Sequence, residues 1–104
     1  MCQTISETLA DFIVNLDYQK ITTDVRDRAK MRILDFLGVA LAGSQIPSSR
    51  IMVEVVKELG GKQESVIIGE KERTSCVNAA IANGTMAHAS DFDDDHRSAT
   101  MHPG

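Results

Sequence analysis

The sequence predicts a mainly α-helical fold, a helical bundle with one short β-hairpin near residues 65–74. Three observations support this prediction. Apolar residues recur at helical spacing along most of the chain, a single short β-branched run precedes a turn glycine, and Gly43 and Gly60 follow periodic segments. We predict four helices, over residues 5–16, 24–42, 50–59 and 75–90.

The first two predicted helices differ in character. The first is amphipathic, with an apolar stripe formed by Ile5, Leu9, Phe12, Ile13 and Leu16. The second has Thr23 as its predicted N-cap and Asp24 in its first turn, where a negative charge favours the helix dipole. Residues 33–43 are apolar nearly all round, which is typical of a helix buried on several faces. A chain of 104 residues has little capacity to surround such a helix, so we expect more protein around it.

The second half of the chain continues the helical pattern around a hairpin. Ser48 or Ser49 is the predicted cap of the third helix, which ends at Gly60-Gly61. The hairpin has a β-branched strand at 66–68 and a turn at Gly69. The fourth helix is rich in alanine, which predicts close packing against another helix. Its Asn83-Gly84 pair is interpreted as a close helix contact or a local bend.

Composition and charge exclude several classes of protein. The chain is 42% hydrophobic and 25% charged, as in a folded globular domain, and its formal net charge of −4 argues against nucleic acid as a partner. The longest apolar run, 33–43, contains Asp35 and is too short to cross a bilayer, so we expect no membrane partner. The N-terminus does not resemble a secretory signal. Cys2 and Cys76 are predicted to be reduced thiols, which together indicates a cytoplasmic protein.

Residues 87–104, AHASDFDDDHRSATMHPG, concentrate the acid–base groups of the chain. Asp91, Asp93 and Asp95 alternate as in a calcium loop, but the turn glycine and the later bidentate glutamate are missing. The three histidines lack the paired helical spacing of common transition-metal sites, so we predict neither a metal nor another cofactor, and divalent-metal binding by residues 91–102 is a minority alternative. The ordinary alternative is a solvated acidic turn that His96 and Arg97 neutralise.

General acid–base chemistry is the remaining interpretation of this segment. Histidine exchanges protons near neutral pH, and an adjacent carboxylate can fix its tautomer and favour its charged form. Asp91 or Asp94 would serve His102 in this way if the loop folds back. Spacing alone favours the solvated turn.

Four stretches, in order, resemble the N-terminal part of the MmgE/PrpD family. They are LADFIVNL, RAKMRILDFLGVALAGS, AAIANGTMAHASDFDDDH and MHPG, and the resemblance runs from about residue 9 to residue 104. The family includes 2-methylcitrate dehydratase and cis-aconitate decarboxylase. The resemblance implies a helical domain of which residues 1–104 are an incomplete N-terminal portion. It also implies a metal-independent site for di- or tricarboxylates and a homodimer.

Site residues are implied by the same motifs. The first aspartate of DFDD is Asp91, and the histidine of HPG is His102, which is expected to donate or accept a proton. Asp94, Asp95 and His96 are expected to contact substrate, and His88 to support the site. A threonine commonly follows DFDD in the family, so Asp95 adds a negative charge where a hydroxyl could bind a substrate carboxylate.

The charge balance of this segment indicates that the lyase site implied by the resemblance is incomplete. A polycarboxylate substrate needs cations to offset its charge, whereas four carboxylates here face Arg97 and three histidines. We therefore expect an N-terminal fragment of a polycarboxylate lyase that is inactive alone, its cations supplied by residues elsewhere. The alternative function is a helical interaction or dimerisation domain without catalysis, which binds a partner through the apolar face of 33–43.

Overall fold

The structure is a computed structural model that describes residues 3–102. The chain divides into two compact units, one up to Lys30 and one from Met31 onward. The described elements are helices α1 (Ile5–Val14), α2 (Thr23–Gly43), α3 (Pro47–Leu59) and α4 (Cys76–His88), a 3₁₀ turn (Tyr18–Lys20), and strands β1 (Ser65–Val66) and β2 (Arg73–Thr74). The prediction of a mainly α-helical chain with one short hairpin is confirmed.

In the first unit, a capping box formed by Thr4 and Glu7 stabilises the N-terminus of α1. The Thr4 hydroxyl accepts a hydrogen bond from the Glu7 amide at 3.2 Å, and the Thr4 amide donates to the Glu7 carboxylate at 2.8 Å. Hydrogen bonds from the backbone and then the side chain of Thr4 lower the pKa of Glu7 below its ordinary value of 4.5. The predicted apolar stripe is present, but no residue of α1 is buried in the described structure.

Helix α2 begins at Thr23, one residue earlier than the predicted helix. The carbonyl of Thr22 accepts the amide of Arg26 at 3.0 Å, so Thr22 occupies the capping position and the predicted cap at Thr23 is wrong by one residue. Asp24 lies in the first turn, as predicted, and its carboxylate pairs with Arg28 at 3.0 Å.

The core of the second unit lies between α3, α4 and the hairpin. Ala40, near the end of α2, also belongs to this core. The buried core residues are Ala40, Val53, Val56, Ile67, Ala82, Met86 and Ala87. The small side chains of α4 do pack closely, as predicted. Among the described glycines, however, the one with least room for a side chain is Gly43, where an added Cβ would lie 2.0 Å from the Met86 carbonyl oxygen. At Gly84 an added Cβ would meet nothing within 4 Å, so the predicted close contact there is wrong.

The hairpin pairs Ser65 with Thr74 and Val66 with Arg73 in antiparallel register. The side chain of Asn83 in α4 binds the hairpin backbone through both its amide oxygen and its amide nitrogen. The Ile68 amide donates to Asn83 Oδ1 at 2.9 Å, and Asn83 Nδ2 donates to the Val66 carbonyl at 3.0 Å. Ile67, between these two contacts, is fully buried.

Helix α3 begins at Pro47 rather than at residue 50. Ile46 occupies the N-cap position and makes no side-chain cap bond, because its side chain has no polar atom. Pro47 at the start of the helix has a φ suited to the helix and no amide that needs a partner. The predicted cap at Ser48 or Ser49 is therefore wrong. Ser49 lies inside the helix, fully buried, and its hydroxyl has no hydrogen-bond partner among the described residues. The predicted end at Gly60, with φ of 65°, is confirmed.

The second half of α2 carries the largest difference from expectation. Within the described structure Ala40 and Gly43 of this helix are buried, whereas Ile33, Leu34, Leu37 and Leu41 are 45–64% exposed. The expected burial of residues 33–43 on several faces is therefore not present in this structure.

No helix among residues 3–102 combines the length and the apolar character that a membrane crossing needs.

Candidate functional site

The acidic loop after α4 turns back on the end of that helix. Helix α4 ends at His88, and the Asp91 amide donates to the His88 carbonyl at 2.9 Å. Asp91 has a φ of 51°, in the left-handed region that aspartate tolerates better than most residues. This conformation reverses the chain, so that the Asp93 carboxylate comes beside the His88 ring.

A second turn places His102. The His96 amide donates to the Met101 carbonyl at 2.9 Å, which closes the segment 96–101 as an isolated antiparallel bridge. Thr100 within it has a φ of 50°, and the His96 Nδ1 accepts the Ala99 amide at 3.2 Å. His102 follows directly and returns to the end of α4.

The two turns assemble a carboxylate between two imidazoles. His88 Nδ1 lies 3.1 Å from Asp93 Oδ1, and His102 Nδ1 lies 3.3 Å from Asp93 Oδ2. The two rings meet edge to face, with centroids 4.5 Å apart. The Asp93 side chain is only 6% exposed, whereas those of His88 and His102 are 56% and 37% exposed. Asp91 completes the group: one donor atom from each of the four residues lies within 4.8 Å of all the others.

The surroundings of Asp93 set its ionisation. Burial raises the pKa of Asp93, but four favourable interactions outweigh it: the hydrogen bond from His88, the Asp93 backbone amide, and the charges of His102 and His88. The net effect lowers the pKa of Asp93 below its ordinary value of 3.8. Asp93 is therefore a carboxylate throughout the neutral range. It accepts a hydrogen bond from His88 and lies 3.3 Å from Nδ1 of His102 without a hydrogen bond to that ring.

Arg32 of α2 supplies a positive charge to the same loop. Its guanidinium forms an ion pair with the Asp94 carboxylate, across 62 residues of sequence. The Asp94 side chain is 26% exposed and that of Arg32 is 68% exposed. This pair ties the loop to α2 and neutralises one of its four carboxylates.

Comparison with known proteins gives a family. A profile described as the MmgE/PrpD N-terminal domain matches residues 7–104, which is nearly the whole chain. The chain belongs to the MmgE/PrpD family. No solved structure gives a significant match.

Three MmgE/PrpD relatives are similar over most of this chain. The chain is 30% identical to the cis-aconitate decarboxylase-like protein oryM of Aspergillus oryzae and 29% identical to a cis-aconitate decarboxylase of Aspergillus terreus, each over 94% of this chain and 20% of the relative. It is 33% identical to human cis-aconitate decarboxylase over 99% of this chain and 21% of the relative. The chain thus spans about one fifth of the length of these relatives.

The predicted site residues of this MmgE/PrpD chain fall into two groups. Asp91 and His102 lie together in the cluster. Asp94 contacts Arg32 rather than His102, and Asp95 and His96 are exposed outside the cluster. The catalytic and substrate-binding roles given to these five residues remain predictions. Pro103 and Gly104 of the HPG motif lie outside the described residues, as does Cys2, whereas Cys76 is a free, exposed thiol.

Sequence reasoning missed two members of the arrangement. Asp93 is the carboxylate that contacts both histidines, although Asp91 and Asp94 were the expected partners of His102. A turn after the helix could bring Asp93, five residues beyond His88, back to the histidine ring. The same turn could equally have brought Asp91 or Asp94 there, so sequence spacing does not choose among the three aspartates. The contact of Arg32 with the loop could not be predicted from the residues around Arg32, because it depends on how α2 packs near the loop.

The arrangement can hold and move protons. A carboxylate accepts hydrogen bonds, so the hydrogen bond to Asp93 assigns the Nδ1 proton to His88 and leaves its Nε2 available to exchange one. The Asp93 carboxylate 3.3 Å from Nδ1 of His102 favours the same tautomer in that ring. Both rings are partly exposed, so a reacting molecule could reach them. The pattern suits general acid–base catalysis near neutral pH.

Proposed function

We propose that this chain contributes the acid–base part of the active site of a polycarboxylate lyase. The observation that carries the proposal is the Asp93 carboxylate held between the His88 and His102 imidazoles, with Asp91 beside them. The family and the names of the relatives, which are cis-aconitate decarboxylases, favour a di- or tricarboxylate substrate.

Two reactions could use these groups. In dehydration of a 2-methylcitrate-like substrate, a base removes the proton alpha to a carboxylate, and an acid protonates the hydroxyl that leaves as water. In decarboxylation of a cis-aconitate-like substrate, the C–C bond breaks, CO₂ leaves, and the electron pair remaining on carbon takes a proton from an acid. We propose His102 as the group that donates or accepts the proton and Asp91 as its catalytic partner, with neither a metal nor an organic cofactor taking part in the reaction.

Substrate binding is the second part of the proposal. Asp95 and His96 are exposed and Asp94 is partly exposed, and all three are proposed to contact substrate. Arg32, the cation that the described structure pairs with this loop, is already engaged by Asp94, and a molecule with two or three carboxylates needs further positive charge. We therefore propose that residues 1–104 are the N-terminal portion of a larger helical domain, whose other residues supply the cations.

The test is an activity assay on two polypeptides. A protein of the relatives' length that carries this segment should convert cis-aconitate or 2-methylcitrate, and the 104-residue chain alone should convert neither. In the longer protein His102→Gln should lower kcat by about 10²–10⁴-fold, the usual contribution of a general acid or base.

Asp91→Asn should lower kcat in the same assay, whereas Asp27→Asn should not. Asp27 is an exposed aspartate of α2 that pairs with Lys30, so its substitution controls for the loss of one carboxylate. Undiminished turnover in His102→Gln, or robust turnover by the 104-residue chain, would contradict the proposal.

A second candidate function, a helical dimerisation domain without catalysis, is favoured by the exposed apolar residues Ile33, Leu34, Leu37 and Leu41 of α2. A homodimer is also part of the lyase proposal, as is a cytoplasmic location, which the free thiol of Cys76 supports. Sedimentation equilibrium tests the dimer: Leu37→Glu should shift the protein toward monomer, and Lys30→Glu should not. A Leu37→Glu protein with unchanged mass would exclude this face as the interface.

A further inference from the structure

The four clustered side chains share a property that acid–base chemistry does not require. Each offers a donor atom that can ligate a metal: imidazole nitrogens from His88 and His102, and carboxylate oxygens from Asp91 and Asp93. We propose that these four residues form a binding site for a divalent transition-metal ion, with Zn²⁺ as the best match. The proposal depends on coordination geometry and does not rest on the proposed lyase function.

The donor separations are close to those of a zinc tetrahedron. Zinc binds nitrogen and oxygen at about 2.0–2.2 Å, so neighbouring ligand atoms in a tetrahedral site are about 3.4 Å apart. A single oxygen of Asp93, Oδ2, lies 3.3 Å from His88 Nδ1 and 3.3 Å from His102 Nδ1. Both distances exceed the roughly 2.7–2.9 Å typical of a strong charge-assisted hydrogen bond.

The remaining adjustment is small. All four donor atoms lie within 4.8 Å of one another, so the widest pair has to close by about 1.4 Å to reach the tetrahedral edge. Asp91, His88 and His102 are exposed and can change rotamer at little cost, whereas Asp93 is shielded and fixed. The site therefore combines one positioned ligand with three adaptable ones.

The donor types select the class of ion. Two nitrogens and two oxygens suit Zn²⁺ and its transition-metal neighbours, whereas Ca²⁺ takes six to eight oxygens. Asp94 pairs with Arg32, and neither Asp94 nor Asp95 belongs to the cluster, so the described residues offer two carboxylates there. Two carboxylates and two neutral imidazoles also balance the double positive charge of the ion.

Metal binding would compete with protons for the same nitrogen atoms. A histidine must be neutral at the atom that binds the ion, so binding releases protons and strengthens as pH rises. If the proposed lyase function also holds, Zn²⁺ would act as a reversible inhibitor, because it would withdraw both imidazoles from proton transfer.

The experiment titrates Zn²⁺ and Co²⁺ into the chain carrying Cys2→Ser and Cys76→Ser, which removes thiols as competing ligands. We expect one ion per chain and the intense visible absorption of tetrahedral Co²⁺. His88→Ala and His102→Ala should each weaken binding at least about 10-fold, since loss of a ligand costs no less than loss of a second-shell partner. His96→Ala is the matched control and should leave the affinity unchanged, because His96 lies outside the cluster.

Substitution can also unfold the loop, so a measurement on the unsubstituted histidines accompanies the variants. Zn²⁺ should shift the imidazole ¹⁵N resonances of His88 and His102 and leave those of His96 in place. Absence of binding, an octahedral Co²⁺ spectrum, or equal shifts at all three histidines would overturn the proposal. A protein of the relatives' length that binds Co²⁺ as expected but lacks lyase activity would contradict the proposed function alone, and an active lyase of that length without Co²⁺ binding would contradict this inference alone.

Discussion

Substitution of Gly43 by alanine should destabilise the second unit by about 1–3 kcal/mol, the usual cost of inserting a methyl group into a packed interior. The added Cβ would lie 2.0 Å from the Met86 carbonyl oxygen, whereas contacts under 3.0 Å are essentially never observed. The two backbones must therefore separate by about 1 Å or more. Because Met86 is two residues before His88 on α4, the same displacement should disturb the histidine cluster.

Gly38→Ala is the matched control on the same helix. A Cβ at Gly38 meets nothing within 4 Å, so alanine should stabilise the protein by about 0.5–1 kcal/mol through helix propensity. Urea unfolding followed by circular dichroism measures both free energies of unfolding. Equal or greater stability of Gly43→Ala relative to the parent chain would refute the argument that α2 and α4 approach closely at this point.

Three further predictions concern other contacts. Asn83→Ala should lower the free energy of unfolding by about 1–3 kcal/mol, because it removes two hydrogen bonds to the hairpin backbone; thermal unfolding measures this loss. Ile67→Ala should cost about 2–5 kcal/mol because Ile67 is fully buried, whereas Ile51→Ala, at a position 63% exposed, should change stability by less than about 0.5 kcal/mol in urea unfolding. The lowered pKa of Glu7 implies a cap on α1 that is intact above its ordinary pKa of 4.5 and is lost as pH falls through the lowered value. The α1 chemical shifts should show this acid transition, and Glu7→Gln should abolish it.

Helix positions could be predicted from the sequence because apolar periodicity and stop signals are local. Gly60 ends α3, and the hairpin turns at Gly69 as predicted, although its first strand covers Ser65–Val66 rather than the predicted 66–68. Helix starts were less predictable, since several polar residues near each start could serve as caps. At α3 the proline geometry prevailed over Ser48 and Ser49, and at α2 the cap fell on Thr22 rather than Thr23.

The sequence predicts where the site lies in the chain, but it does not predict which aspartate contacts the histidines. The motif residues Asp91 and His102 do come together, which the sequence indicated through their family resemblance. The contact of Asp93 with both rings depends on left-handed backbone at Asp91 and Thr100, and neither residue type requires that conformation. Burial of residues 33–43 could not be judged from periodicity, because an apolar helix surface is the same whether or not a partner covers it.

The Arg32–Asp94 pair bears on the order in which the molecule forms. Residues 47–88 can associate through contacts between elements that are close in sequence. The ion pair instead joins residues 62 positions apart, so it forms only after the chain has lost the conformational entropy of closing that long segment. Residues 89–102 include no fully buried side chain, so they can detach while the helices around Ile67 stay folded. Amide hydrogens of this segment should therefore exchange faster than those of α4, and the loop should be the last part to assemble and the first to open.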